Sequence, residues 1–340
     1  MDKYIELSHG AGGLKMDQLL KSIQSTISKR NTSETDIGMD SFDDGALFLI
    51  NNQDLVISTD GHSVDPLFFP GGDIGKLAMC GTLNDLVMMG ADPIAVTSSL
   101  LIEEGLEWEE LRKILMSMNT ICEQDQIPII AGDTKVIPKG KLDKLLIVTT
   151  GIGRRISKER ILDTNVQVGD QIIVTGSIGS HGIALMSFRE GLSFTTMLES
   201  DVASLKQLIL PLVSKYTIHA MKDPTRGGLA SALNEWSEKS HVEIHIDQEK
   251  VPIHQSVQSA ADLLGLDPFE ITCEGKAILA VPKNQSEEIL KIIKSNPLGK
   301  DAQIIGEVLN ADTSKVFLKT SVGGLRRLQK PLGELIPRVC

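Results

Sequence analysis

The apolar positions of this chain switch between helical and strand spacing. Over residues 13–29 they recur at the helical period, whereas ALFLI and DLVIST, split by Asn51 and Asn52, read as two short strands joined by a turn. Residues 73–89 are helical again, with Ile74, Leu77, Ala78, Leu86 and Val87 apolar, and Gly90 supplies the stop. IAVTSSLLI resumes the strand pattern, residues 108–125 form a helix, and IPIIAG and KLLIVTTGIG are two further strands. This half mixes strands and helices without a simple alternating rhythm. From about Ser157 the pattern changes, and VGDQIIVTGSIGSHGIALM predicts a strand, a Gly/Ser turn and a helix. Helices are expected near 202–215, 229–239, 253–264 and 286–294, with strands at HVEIHI, KAILAV, AQIIGEV and KVFLK.

The last twenty residues, SVGGLRRLQKPLGELIPRVC, hold three Gly and two Pro and cannot make a long regular element. They are expected to form an extended or mobile arm, with Gly323 and Gly324 as its hinge. A chain of 340 residues exceeds what one core usually supports, so two domains are expected, over 1–155 and 156–320, followed by a tail over 321–340.

With 41% apolar and 23% charged residues the chain can bury a core, which excludes disorder as the main state. A net charge of −11 and a pI near 5.2 exclude a nucleic-acid-binding surface, which needs clustered Lys and Arg. The N-terminal segment lacks the basic and apolar regions of a secretion signal, and no window approaches 18 apolar residues, so a cytoplasmic protein without membrane contact is expected. The four cysteines lack zinc-site spacing and should be reduced thiols; Cys80 and Cys122 sit in apolar runs as core residues, while Cys340 is the last residue.

Four acids stand at element ends: Asp44 in SFDDGALF, Asp60 in VISTD, Asp85 in GTLNDLVMMG and Asp133 in PIIAGDT. Taken singly, each is equally readily a cap or turn residue. As a set they suit Mg²⁺, which prefers oxygen ligands and bridges phosphates. Neither GxxxxGK[ST] nor GxGxxG occurs, so phosphates would be held otherwise. The glycine-rich stretches at 9–13, at 70–72 with nearby Lys76, and at 175–182 are the candidates, because glycine lets backbone N–H groups approach an anion.

These pieces occur in an order that resembles the aminoimidazole-ribonucleotide-synthetase-like superfamily: Asp43, Asp44 and Ala46, then Thr59 and Asp60, then Asn84 and Asp85 before a corner at 90–93, then Gly132 to Thr134, with VTGSIG and KDPTRGGL further on. LSHGAGG, DPLFFPGGDIGKLAMCGT, LIEEGL, AGDTKV, DPTRGG, EGK, NPLGKD and a terminal PRVC resemble specifically the HypE family of hydrogenase maturation proteins. Val339 departs from the family's usual PRIC, and Cys273 stands where the family usually has Asn. Selenophosphate synthetases carry a reactive Cys or selenocysteine in the N-terminal glycine loop, and this loop has none.

The resemblance implies an α+β, two-domain PurM/AIR-synthetase-like fold whose first-domain sheet pairs into a barrel in a homodimer. It implies ATP and Mg²⁺ as cofactors, with Asp44, Asp60, Lys76, Asn84, Asp85, Gly132 and Asp133 at the nucleotide and Asp44, Asp60, Asp85 and Asp133 as metal ligands. It further implies that a HypF-like carbamoyltransferase loads Cys340, that the carbamoyl group is dehydrated to a thiocyanate, and that a HypC–HypD scaffold accepts the cyanide. Dehydration of a primary amide needs its oxygen phosphorylated, a cation near that oxygen and a base for the N–H protons. Lys135 and Glu274 are the residues expected in the last two roles. The competing readings are a superfamily kinase or ligase acting on a small molecule, and a non-catalytic scaffold holding a metal on its thiol, for which one Cys without nearby His or Cys is a poor site.

Overall fold

A computed structural model describes residues 3–191, 198–310 and 313–332. In chain order the elements are α1 (Leu14–Thr26), β1 (Ala46–Ile50), β2 (Gln53–His62), β3 (Phe68–Phe69), β4 (Gly72–Asp73), α2 (Ile74–Met88), β5 (Ala91–Glu103), α3 (Trp108–Asp125), β6 (Ile129–Ile137) and β7 (Leu145–Arg155). There follow β8 (Asp170–Val174), α4 (Ser180–Arg189), α5 (Lys206–Val213), β9 (Ala220–Lys222), α6 (Gly228–Ser240), β10 (Glu243–Asp247), α7 (Gln255–Leu264), β11 (Ile278–Pro282), α8 (Lys283–Ser295), β12 (Gln303–Leu309), β13 (Val316–Lys319) and β14 (Leu325–Leu328). Among the described residues no helix is long and apolar enough to cross a membrane.

The first sheet has the order β1-β2-β7-β5-β6. β5 and β6 are parallel and joined through α3; the other neighbours are antiparallel. Asn51 and Asn52 both take positive φ, 51° and 61°, which suits a two-residue hairpin whose twist matches its strands. Along β7 every second residue, from Leu145 to Gly153, is buried, so one face of this sheet is covered and the other is open. The cover is α2, started by Asp73, whose Oδ1 accepts from the N–H groups of Gly75 and Lys76 at 2.8 and 3.0 Å. Thirteen of its fifteen residues are buried, the pattern of a helix enclosed on all sides.

The second sheet has the order β14-β13-β10-β12-β8-β11-β9 and carries helices on both faces. Ile172 and Val174 of β8 point into a core around Trp236 of α6, whereas Ile173 points into a core lined by α5 and α8. Val87 and Met88 of α2 belong to that second core, so α2 packs in both halves of the molecule.

Three expectations change. The helix expected over 202–215 is confined to α5, because residues 202–205 are drawn out as connections to α2. The strand at IPIIAG continues through GDTKVI as β6, exposed over nearly its whole length, with Ile130 at 66% and Val136 at 65%. The arm expected over 321–340 instead begins with β14, antiparallel to β13, and Gly323 and Gly324 form the hairpin turn between them rather than a hinge. Thr320 N donates to Gly324 O at 2.8 Å, and Gly323 sits at φ 83°. Cys340 lies outside the described residues.

Trp236 ties the larger core to the charged seam described below, since its Nε1–H donates to Asp163 Oδ1 at 2.7 Å inside the protein. Trp236→Phe should therefore cost about 1–3 kcal/mol through the stranded carboxylate oxygen, before any cavity penalty. An unshifted urea midpoint would show that the bond contributes nothing.

Candidate active site

Five acids from both halves meet at the seam between the sheets. Asp44 precedes β1, Asp60 lies on β2, Asp85 on α2, Asp223 directly follows β9, and Glu274 precedes β11. Burial pushes Asp85 well above the ordinary carboxylate range, and the negative charges of Asp223, Asp60 and Asp44 push it further. Asp223 is raised by burial and by Asp44 and Asp60; Glu274 is raised by burial and by Asp223, Asp201 and Asp60. Asp60 differs: burial opposes its charge, but His62 Nε2 at 3.1 Å and Arg226 at 4.0 Å outweigh burial and lower it.

The cluster also encloses a cation. Lys222 Nζ lies 2.7 Å from Asp163, 3.1 Å from Asp44 and 3.2 Å from Glu235. Despite its burial these three carboxylates hold Lys222 protonated. Asp163, nearest to it and also bonded to Lys239 at 2.6 Å, keeps its charge against burial, while Asp44 is pushed up to about 6. One ammonium shared among three carboxylates satisfies the closest and leaves Asp44 short. The buried oxygens Glu274 Oε1, Asp43 Oδ2 and Asp201 Oδ2 accept no hydrogen bond within the described residues. The site thus gathers hard oxygen donors whose charge Lys222, Arg226 and Lys276, the last 3.6 Å from Asp201, only partly compensate, the character of a Mg²⁺ site. Among the described residues no three His, Cys, Asp or Glu side chains converge closely enough to hold an ion by themselves, so an ion here would take further oxygens from a bound phosphate.

The N-terminal glycine loop closes one side. Gly12 (φ 77°) and Gly227 (φ 77°) are interlocked: a Cβ on Gly12 would come within 2.4 Å of Arg226 C, and one on Gly227 within 2.5 Å of Gly12 O. Ser231 Oγ donates to Gly12 O at 2.7 Å. This seats HGAGG on the DPTRGG turn, beside Arg226. Asp223 and Arg226 were not among the expected site residues. Their signal in the sequence was an acid and an arginine flanking a Pro-Thr turn that opens onto two glycines at the head of a helix.

Of the expected residues, Asp44, Asp60, Asp85 and Glu274 come together. Asn84 is used differently. Its Nδ2 donates to Ala203 O at 3.1 Å and to Glu274 O at 3.4 Å, and its Oδ1 accepts from Leu205 N at 2.8 Å. Its amide is engaged in pinning α2 to the second half. Lys76 Nζ donates to Gly71 O at 2.9 Å, within the 70–72 turn. Gly132, Asp133 and Lys135 lie elsewhere. Across the first sheet Asp60 is level with Thr149, Ser98 and Gly132 in successive strands. Thr149 bonds Thr82 Oγ1 and Ala78 O of α2, so this row faces α2; Asp133 and Lys135 alternate to the open face, three strands from Asp60. Within one chain they do not join the cluster. Cys273 is buried, accepts from Gly179 N at 3.2 Å and has its thiol pushed up by burial, so it is no nucleophile.

The AIR synthase related protein N-terminal domain family matches residues 42–155, and the corresponding C-terminal domain family matches 167–319. The carbamoyl dehydratase HypE of Rhizobium leguminosarum bv. viciae is 40% identical over 338 residues, covering 99% of this chain and 95% of that one. A HypE chain solved in a HypE–HypF complex superimposes with a TM-score of 0.85 at 41% identity, over 92% of this chain and 99% of that one. HypE solved in complex with ATP gives 0.83 at 36% identity, over 99% and 100%.

A carboxyl raised in the folded state contributes stability that is complete below its unfolded value, 3.8 for Asp44, and is lost as pH rises through about 6. In the ligand-free chain the thermal midpoint of wild type relative to Asp44→Asn should therefore fall across that window. A parallel pair of curves would show that Asp44 is not the uncompensated group.

Proposed function

The chain belongs to the HypE family of AIR synthase related proteins, and on that footing we propose that it dehydrates a carbamoyl group carried as an S-carboxamide on Cys340 to a thiocyanate. It is an ATP-dependent carbamoyl dehydratase that supplies cyanide for the iron of nickel–iron hydrogenase during maturation. The observation that carries this reading is the set of uncompensated carboxylates buried at the domain seam under an interlocked glycine loop, in a chain similar along its whole length to an ATP-binding dehydratase. A carbamoyltransferase of the HypF kind supplies the group, and the HypC–HypD scaffold receives the product. We place the reaction in the cytoplasm.

The overall change, S–C(=O)NH₂ to S–C≡N plus water, requires the amide oxygen to leave and two N–H protons to be taken up. MgATP, when bound, supplies the phosphoryl group that converts that oxygen into a leaving group. Asp44, Asp60, Asp85 and Asp223 are suited to hold Mg²⁺, since Lys222 and Arg226 answer only part of their shared charge. Arg226 and the backbone N–H groups of the glycine loop are suited to the phosphates. Glu274, buried at the seam with an oxygen lacking a hydrogen-bond partner and with its proton affinity raised by burial and by Asp223, is suited to take up the amide protons.

The positions of Asp133 and Lys135 support a homodimer. β1 pairs with β2 only up to Ile57, leaving 58–62 without an outer strand among the described residues, and β6 has an unpaired outer edge. Docking β6 of one protomer on β2 of its partner closes two sheets into a barrel and brings Gly132, Asp133 and Lys135 of one chain to the strand that carries Asp60 of the other. Each site is then shared between chains through Gly132, on the face of Asp60; Lys135, on the other face of that strand, keeps its proposed role as the cation near the departing oxygen, which the chain-mixing measurement below decides.

Two measurements test this. After incubation with the carbamoyltransferase and carbamoyl phosphate, the C-terminal peptide should gain a carbamoyl group on Cys340 and lose the mass of one water when MgATP is added; Cys340→Ala should abolish both changes and retain nucleotide binding. ATP consumption on a small molecule with Cys340 untouched would favour a superfamily kinase or ligase instead. Separately, an equal mixture of Asp85→Asn and Lys135→Ala chains, each inactive alone, should recover about a quarter of wild-type turnover, because half the dimers are mixed and each of those has one intact site. No recovery would place both residues in one protomer's site.

A further inference from the structure

The segment at the end of the described chain is fastened at a buried lysine. Beyond β14, the side chain of Lys330 is only 6% exposed, and its Nζ lies 2.9 Å from Asp17 Oδ2 of α1 and 3.2 Å from Glu238 Oε2 of α6. Burial opposes its charge, but the hydrogen bond to Asp17 and the charges of Glu235, Asp17 and Glu238 raise its pKa nonetheless. On one side of it, Leu328 O accepts from Asn234 Nδ2 at 3.1 Å. On the other, Pro331 O accepts from Leu14 N at 3.3 Å. Leu14 opens α1 directly after the glycine loop, and Gly12 is the residue interlocked with Gly227. None of α1's residues is fully buried; the Lys330 ion pair, the Leu14–Pro331 hydrogen bond and the glycine contacts just before the helix are among the links that hold it to the body.

An exposed ion pair at a chain end is worth little and would need no explanation. Here the ammonium itself is withdrawn from water while Asp17 and Glu238 stay 32% and 56% exposed, so these partners must repay the desolvation of Lys330 alone. Its position also has a geometric consequence. From Pro331 to Cys340 is nine residues (340 − 331), a reach of at most ~32 Å when extended and an r.m.s. span of ~17 Å when flexible. The fixed end of that tether lies against the glycine loop, beside Arg226, which is 4.0 Å from Asp60.

We propose that Lys330 is a positioning residue for the dehydration: it fixes the root of the C-terminal tail on α1 and α6 at the glycine loop, so that Cys340 searches for the carboxylate cluster from a defined origin. This rests on the dehydratase reading above. Releasing Lys330, and with it the single Leu14–Pro331 hydrogen bond, moves the origin back to Leu328 and lengthens the tether to twelve residues (340 − 328), which by length alone lowers the effective concentration of the thiol only about 1.5-fold. A larger loss reports the lost direction of the tail.

The test uses the full chain, loaded by its carbamoyltransferase, in single turnover with MgATP. Lys330→Met should slow loss of water from carbamoylated Cys340 about tenfold, and Lys330→Arg should restore it to within about twofold. In parallel, in a Cys340→Ala background, the same Lys330→Met change should leave unaltered the dehydration of a free peptide of residues 332–340 carrying a carbamoylated cysteine. An equal loss in the tethered and free reactions would mean that Lys330 merely supports the fold, and an unchanged tethered rate would mean that the root needs no anchor; either overturns the proposal. A Lys330→Met chain that loads normally yet dehydrates only the free peptide would confirm it. If wild type loads Cys340 but never loses water, the dehydratase reading fails and the tail anchor with it.

Discussion

Too much negative charge for the cations provided, held out of water, is the constraint around which this molecule is arranged. Asp44, Asp85, Asp223 and Glu274 each lie at a point where burial and neighbouring carboxylates disfavour ionisation, and Lys222 is shared with Asp163 and Glu235. A folded protein tolerates such a site only if the surrounding structure is over-determined and something bound relieves the charge. The first condition is met by a scaffold that recruits acids from two halves, and the hard oxygens it leaves without hydrogen-bond partners are open to the second.

The over-determination comes from elements that belong to neither half alone. Helix α2 covers the first sheet and enters the core under α5, and Asn84 uses both ends of its amide to fasten α2 to residues 203–205 and 274. The interlocked glycines do the same at the opposite rim, where neither loop leaves room for a side chain on the other. Asp163 links the seam to the larger core through Trp236, Lys222 and Lys239. The carboxylates are consequently positioned by contacts that span the molecule and not by local turns.

Much of the fold was legible because its long elements are periodic. Helix α3 matched the expected residues 108–125, and α2 was bounded correctly by Asp73 and Gly90. Four acids of the buried cluster, Asp44, Asp60, Asp85 and Glu274, could be named because each lies near the start or end of an element beside a distinctive motif. What could not be read were properties of three-dimensional juxtaposition. Asn84 beside Asp85 looks the same in sequence whether its amide meets a nucleotide or a backbone. Asp133 and Lys135 lie on a strand as Asp60 does, and only the strand order and register place them on the open face, three strands away. Asp223 and Arg226 acquire their roles from a turn that meets a loop more than two hundred residues earlier. The glycine pair at 323 and 324 serves a hairpin, which depends on β14 finding β13.

The double membership of α2 also sets an order of events during synthesis. Residues through β7 leave the ribosome with a helix that has one partner sheet complete and a second side, carrying Val87 and Met88, destined for a core that closes only when α8 and Ala302 have emerged. At usual elongation rates that interval is on the order of ten seconds. The nascent first half must therefore persist for that time with an apolar helix face uncovered, which makes it a natural client for chaperones and ties the final closure of the charged seam to the end of translation.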